Sequence, residues 1–272
     1  MPELPEVETV KRALYKIVIG AKITDLYIGE KKLRIAFPKN LKKILIGRTF
    51  KKPFRRAKYC IIPIGNLEYL VFHLGMSGKI RILNDKPSPS KHDHFIISMD
   101  NNYHILFNDT RRFGFVDLIK GNLEKNKNFI KIGPEPLSEK FEKKYLFNRI
   151  NKKQQKIKNI LLDQSVVAGL GNIYVNEILF HSCISPKRQG RNISLKKCEI
   201  IVNSTKLIIK KAIRAGGTTI KDHIQPDGNL GYFKFNLKVY SKTNKNCVNC
   251  NSLIKEVMIS SRASFYCPKC QR

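Results

Sequence analysis

Pro2, Glu3 and Glu6 give the stretch MPELPEVETV a chemical opportunity at its very start. Proline is small enough for the initiator methionine before it to be trimmed, which leaves a secondary amine. An N-terminal amine titrates near pKa ~8, against ~10.4 for lysine, so a useful fraction is an unprotonated nucleophile near neutral pH. Attack by such an amine on a sugar aldehyde carbon gives an iminium directly, and two neighbouring carboxylates can move protons. The same residues also suit an ordinary helix start stiffened by Pro2 and Pro5. A second constellation closes the chain. Cys247-x2-Cys250-x16-Cys267-x2-Cys270 has the spacing of a four-thiolate tetrahedral site, which leaves no open coordination position and so predicts one structural Zn2+. Arg262 falls in the turn region of the intervening LIKEVMISSRASFY, placed to grip a phosphate or simply to be solvated.

Between these ends lie loops of a second kind. Ala168-Gly169-Leu170-Gly171-Asn172 precedes a helical stretch, so free backbone N–H groups and Asn172 can cap the helix or hold a phosphate. Gly75-Met76-Ser77-Gly78 and Arg111-Arg112-Phe113-Gly114 each join two apolar runs. Met76 and Phe113 beside arginines suit a wedge that opens a base stack, and equally suit a core. Arg55, Arg56 and Lys58 precede a strand as a solvated basic face or as phosphate contacts. In Lys91-His92-Asp93-His94 the alternating His and Asp read as hydrogen-bonding residues, since no further metal ligands lie nearby.

The elements that must position these groups follow from periodicity. Val7, Val10, Leu14, Ile17 and Val18 predict a helix over 5–19 ending at Gly20, with Pro5, Glu6 and Glu8 suited to its first turns. From 22 to 119 the pattern becomes short apolar or alternating runs: KITDLYI, LRIAF, YCIIPI, EYLVFHL, KIRIL, HFIISM, YHILF and FVDLI. These predict an antiparallel β-sandwich or barrel. Residues 120–137 form a polar linker. Helices are then expected over 152–163, 172–183 and 194–217, and a long polar loop over 217–236.

The chain has 272 residues, 42% of them hydrophobic, enough for a sizeable core in one large domain or two ordinary ones. Lys and Arg number 52 against 21 Asp and Glu, a net charge of +31 that suits a polyanion. Thirty-eight of the 52 are Lys, and Ile and Asn are also abundant, a bias that an AT-rich genome produces by itself. The polar start and the lack of any long apolar run predict a cytoplasmic protein with no membrane segment. Seven cysteines, an odd number, argue against a disulfide framework; Cys60, Cys183 and Cys198 read as buried thiols.

Taken together, PELPEVET, RRAKY (55–59), HLGMSG (73–78), KHDH (91–94), RRFG (111–114), GLGNIYVNE (169–177), GGTT (216–219) and the cysteine hairpin resemble the bacterial formamidopyrimidine-DNA glycosylases. The likeness spans essentially the whole chain. It implies an α+β fold of two domains, an N-terminal antiparallel β-sandwich with a leading helix and a helical helix–two-turn–helix domain ending in a zinc-ribbon hairpin. The corresponding boundaries are 1–133, 134–236 and, for the finger, 237–272. It implies an enzyme acting on double-stranded DNA with oxidised purines, as a monomer, which extrudes the base and then cuts the strand by β,δ-elimination. Pro2, Glu3, Lys58 and Arg262 match residues of the reaction. His92, Arg111, Asn172, Met76 and Phe113, with Lys58 and Arg262 again, match contacts to DNA. Glu6, Thr218 and Thr219 match the lesion pocket, around 217–225 a lid. Asp109-Thr110-Arg111 departs from the proline that many members carry before the arginines. Two alternatives remain: a relative acting on oxidised pyrimidines, as endonuclease VIII does, and a zinc-ribbon protein that binds DNA without cutting it.

Overall fold

A computed structural model describes residues 2–218 and 233–272. Thr219 and most of the expected lid lie outside the described residues. The chain divides into two compact units, Met1–Ile130 with Ala215–Tyr232, and Lys131–Arg214 with Phe233–Arg272.

The first unit begins with α1 (Leu4–Val18), whose Val7, Val10, Leu14 and Val18 are buried on one stripe. Extended Ile19 and left-handed Gly20 (φ +80°) end it. Then follow β1 (Ile23–Ile28), the short helix α2 (Leu41–Leu45), β2 (Phe54–Arg56), β3 (Tyr59–Pro63), β4 (Glu68–His73), β5 (Lys79–Leu83), β6 (Asp93–Met99), β7 (His104–Asn108) and β8 (Phe115–Lys120). They form two four-stranded sheets, ordered β1-β6-β7-β5 and β2-β3-β4-β8, with every pairing antiparallel. The expected sandwich is present. One core joins Val10 and Leu14 of α1 to Cys60, Leu70 and Phe72 of one sheet and Phe95, Ile97 and Phe107 of the other. Each such side chain contributes roughly 1.5–3 kcal/mol by leaving water.

One local expectation fails here and another is incomplete. LRIAF forms no strand: Leu33 is buried, but the Arg34 N–H donates to the Gly114 carbonyl instead of to a ladder. Arg55 and Arg56 do precede a strand, β3, but they also form one of their own, pairing with Cys60 and Tyr59 across a turn at Ala57-Lys58. Ala57 takes φ +52° there, a conformation its sequence does not advertise.

The second unit contains α3 (Lys143–Ile150), α4 (Ile157–Leu162), α5 (Asn172–His181) and α6 (Leu195–Arg214), then the hairpin β9 (Lys255–Ile259) and β10 (Arg262–Tyr266). Ser260 and Ser261 both have positive φ, the primed turn that matches strand twist. The helix expected over 152–163 is only α4. Lys156 bridges Gln189, and the Ile157 N–H donates to the Arg188 carbonyl, so the preceding backbone is engaged elsewhere. Cys183 is exposed rather than buried, because left-handed backbone (φ +55°) follows the end of α5. Cys60 and Cys198 are buried as expected, and burial pushes their thiols up to about 12 and about 11.

Glu177 of α5, 2% exposed, anchors the segment leading into the hairpin. Its carboxylate accepts the backbone N–H groups of Lys238 (2.8 Å), Val239 (2.9 Å) and Tyr240 (2.9 Å). Burial raises its pKa against those three bonds. Glu177→Ala strands the donors and should cost about 3 kcal/mol in chemical denaturation, with Glu177→Gln costing less. In the first unit, burial, then the charges of Lys58 and Arg34, lower His73 to about 4. Between pH 6.5 and about 4 the unfolded chain therefore takes up a proton that the folded chain refuses. Stability should be fully present above that window and fall as pH drops through it; a pH series of melting curves should show His73→Gln flattening this slope.

Candidate active site and nucleic-acid interface

Pro2 is buried just ahead of α1, and Glu3 and Glu6 are only 1% and 2% exposed. Glu6 Oε2 accepts the Glu3 N–H at 2.8 Å, and Oε1 accepts the Thr218 N–H at 2.7 Å. Gly217 permits this approach: its φ is +81°, and a Cβ there would stand 2.9 Å from Glu6 Oε1. One carboxylate thus pins the backbone beside Pro2 to residues 217–218. Glu3, with its carboxyl next in sequence to the amine position, is the group suited to proton transfer there.

Lys58 is half-buried in the β2–β3 turn. That turn hangs from α1 through Arg55, whose Nε lies 3.1 Å from Glu8 Oε2 and whose guanidinium donates to the Ala57 carbonyl at 2.9 Å. Glu8 also meets Lys11 and Arg12. Burial would raise the Glu8 pKa, but these cations together hold it below the usual carboxylate range.

The loops after β4 and β7 carry the apolar tips. Met76 is 40% and Phe113 44% exposed, so neither belongs to the core. The exposed Arg111 guanidinium lies over the Phe113 ring at 4.9 Å. Gly75 (φ +60°) has no room for a side chain: a Cβ would meet Phe113 and Gly114 backbone at 2.3–2.4 Å. The two loops therefore touch backbone to backbone. Its N–H donates to His73 Nδ1 at 3.1 Å, and the His73 ring stacks on Phe115. His92 is half-buried just before β6, and its carbonyl accepts the Asp109 N–H at 3.0 Å.

In the second unit Asn172 is the first residue of α5, and its amide donates to the Ala263 carbonyl at 3.0 Å. Lys158, wholly buried, donates to the same carbonyl at 2.7 Å and to Ser264 Oγ at 2.6 Å, while the Phe265 N–H donates to Asn176 Oδ1 at 2.8 Å. Strand β10 is thus docked on α4 and α5, with exposed Arg262 at its first position. The sequence offered no sign of Lys158, one lysine among 38.

The sulfurs of Cys247, Cys250, Cys267 and Cys270 all lie within 4.8 Å of one another. A tetrahedron with metal–sulfur bonds of about 2.3 Å has edges of about 3.8 Å. The pairs Cys247–Cys270 and Cys250–Cys267 stand at 3.8 and 3.4 Å, so the four residues are placed to hold a metal ion. Among the described residues no helix is long and apolar enough to cross a membrane.

Residues 1–116 match the profile of the formamidopyrimidine-DNA glycosylase N-terminal domain, and residues 132–224 that of the formamidopyrimidine-DNA glycosylase H2TH domain. The formamidopyrimidine-DNA glycosylase of Zymomonas mobilis is 42% identical, with both chains covered completely. A Lactococcus lactis Fpg mutant in complex with Fapy-dG containing DNA superimposes with a TM-score of 0.92 at 36% identity, each chain covered completely. The wild-type L. lactis protein with oxidised pyrimidine containing DNA gives 0.90 at the same identity and coverage. The chain belongs to the formamidopyrimidine-DNA glycosylase family.

Proposed function

We propose that this chain excises oxidised purines, 8-oxoguanine and formamidopyrimidines, from duplex DNA and then cleaves the abasic strand, with Pro2 as nucleophile. The observation that carries the reading is the buried Glu3–Glu6 pair at the head of α1, which fixes the backbone beside Pro2. Once Met1 is removed, the Pro2 amine attacks the sugar C1′ of an extruded nucleotide. The new N–C bond replaces the glycosidic bond, whose electron pair leaves with the base. The sugar ring opens at O4′, which takes a proton, and the amine becomes an iminium. Glu3 carries protons to and from the sugar. Loss of a C2′ proton then expels the 3′ phosphate, and a second elimination expels the 5′ phosphate. Hydrolysis returns Pro2 as a free amine.

Lys58 and Arg262 contact phosphate at the reaction in this reading, with His92 and Asn172 as further DNA contacts. Met76, Phe113 and Arg111 fill the space left by the extruded nucleotide, Arg111 facing the orphaned cytosine. Glu6, Thr218 and Thr219 border the lesion. Zn2+ held by the four cysteines would be structural, bracing the hairpin that begins β10 at Arg262. The setting is the cytoplasm, on nucleoid DNA, and the lysine excess adds affinity through counterion release.

The L. lactis complex with Fapy-dG DNA supports the purine reading. Its counterpart with an oxidised pyrimidine keeps a second substrate class in play, and rates on 8-oxoguanine:C and thymine-glycol duplexes separate the two. Borohydride added during turnover on an 8-oxoguanine duplex should trap a covalent protein–DNA adduct, read by intact mass. A residue retained in front of Pro2 should abolish the adduct and cleavage while sparing much of the binding; cleavage that survives sinks the mechanism. Cys247→Ser should lose the metal and weaken DNA binding, measured by metal analysis and a gel-shift titration.

A further inference from the structure

We infer that Asp109 is a positioning residue that joins the loops 74–78 and 109–114 into one rigid wedge. The inference rests on the glycosylase reading above. Asp109 follows β7 and is 0% exposed. Its backbone is tied at both ends to the β6 side of the sheet: the N–H donates to the His92 carbonyl at 3.0 Å, and His94 Nε2 donates to its carbonyl at 2.9 Å.

Its side chain reaches across both loops. Oδ1 accepts the Ser77 hydroxyl and, at 3.2 Å, the Arg111 N–H; Oδ2 accepts the Gly114 N–H at 2.7 Å. Ser77 Oγ itself accepts the Arg111 N–H at 3.1 Å, which closes the bridge. Every side-chain partner is a donor, which fits a carboxylate and does not fit an amide. The glycine backbones leave no slack: a Cβ on Gly114 would stand 2.7 Å from the His73 carbonyl and 3.0 Å from Asp109 Oδ2.

The exposed tips are therefore bound at their roots. Met76 precedes Ser77, Phe113 precedes Gly114, and Arg111 is itself held through its N–H. Opening a base stack costs about a few kcal/mol per step, so a wedge works only if its base resists the load. Two loops anchored separately would yield. Joined through one buried carboxylate, they transmit it to the sheet. Asp109 touches none of the reacting atoms in this account; it acts through Met76, Arg111 and Phe113.

The test uses the full metal-loaded protein and a duplex with 8-oxoguanine opposite cytosine and 2-aminopurine beside that cytosine. Wild type, Ser77→Ala, Asp109→Asn, Phe113→Ala and Ser77→Ala/Phe113→Ala are compared by stopped-flow fluorescence, excision kcat/KM and cleavage of a preformed abasic site. Ser77→Ala should cut the early fluorescence rise and excision by about tenfold, the scale of one lost charge-assisted hydrogen bond. Cleavage of the preformed abasic site, with no base to extrude, should stay within about twofold, and the double variant should lose less than the product of the two single losses, Met76 and Arg111 still being loosened by Ser77→Ala. Asp109→Asn should exceed Ser77→Ala in effect; if it does not fold, Ser77→Ala and the double variant decide. Equal losses on both substrates, additive effects of Ser77→Ala and Phe113→Ala, or an unchanged fluorescence rise overturn the inference. Failure of wild type to form a borohydride adduct overturns the glycosylase reading itself, and is told apart by that control.

Discussion

A carboxylate without water around it must be met by hydrogen-bond donors, and in this protein backbone N–H groups supply many of them. Glu6 accepts from Glu3 and Thr218, Asp109 from Arg111 and Gly114, and Glu177 from Lys238, Val239 and Tyr240. Moving an acid out of water costs several kcal/mol, which such bonds offset. Because the donors are main-chain groups, each acid fixes a stretch of backbone rather than one flexible side chain. Those stretches are the ones that matter: the chain beside Pro2, the two tip loops, and the run leading into the cysteine hairpin.

The surface obeys a different rule. Asp25 meets Lys42 and Lys86, and Glu68 meets Arg48 and Lys120, in ion pairs whose basic partners are well exposed. Pairs of this kind contribute at most about 1 kcal/mol each. With 52 basic and 21 acidic residues, the positive charges exceed the negative ones by 31. Excess positive charge repels itself in the free protein and is relieved against a polyanion.

Much of this was legible in the sequence where the signal is local. The stripe Val7, Val10, Leu14, Val18 marks α1, and alternation with turn residues marks seven of the eight sandwich strands. The cysteine spacing places four sulfurs together. What escaped depends on partners far along the chain. LRIAF has strand-like residues, yet the Arg34 N–H is taken by Gly114. Residues 152–156 carry good helix formers, but Lys156 pairs with Gln189. Lys158 is buried only because β10 brings Ala263 and Ser264 to it. Asp109 stood out in the sequence only for the residue that follows it, while its carboxylate reaches a hydroxyl 32 positions earlier in the chain.

The backbone contact at Gly75 and Gly114 has a consequence for how such a protein can vary. With the two loops packed main chain to main chain at this point, neither can take a side chain at its glycine without breaking the frame. Side-chain length at positions 76 and 113 is what remains adjustable. The loops therefore act as a fixed handle carrying interchangeable teeth, and the reach of the tool can be retuned by exchanging Met76 or Phe113 while the handle stays as it is.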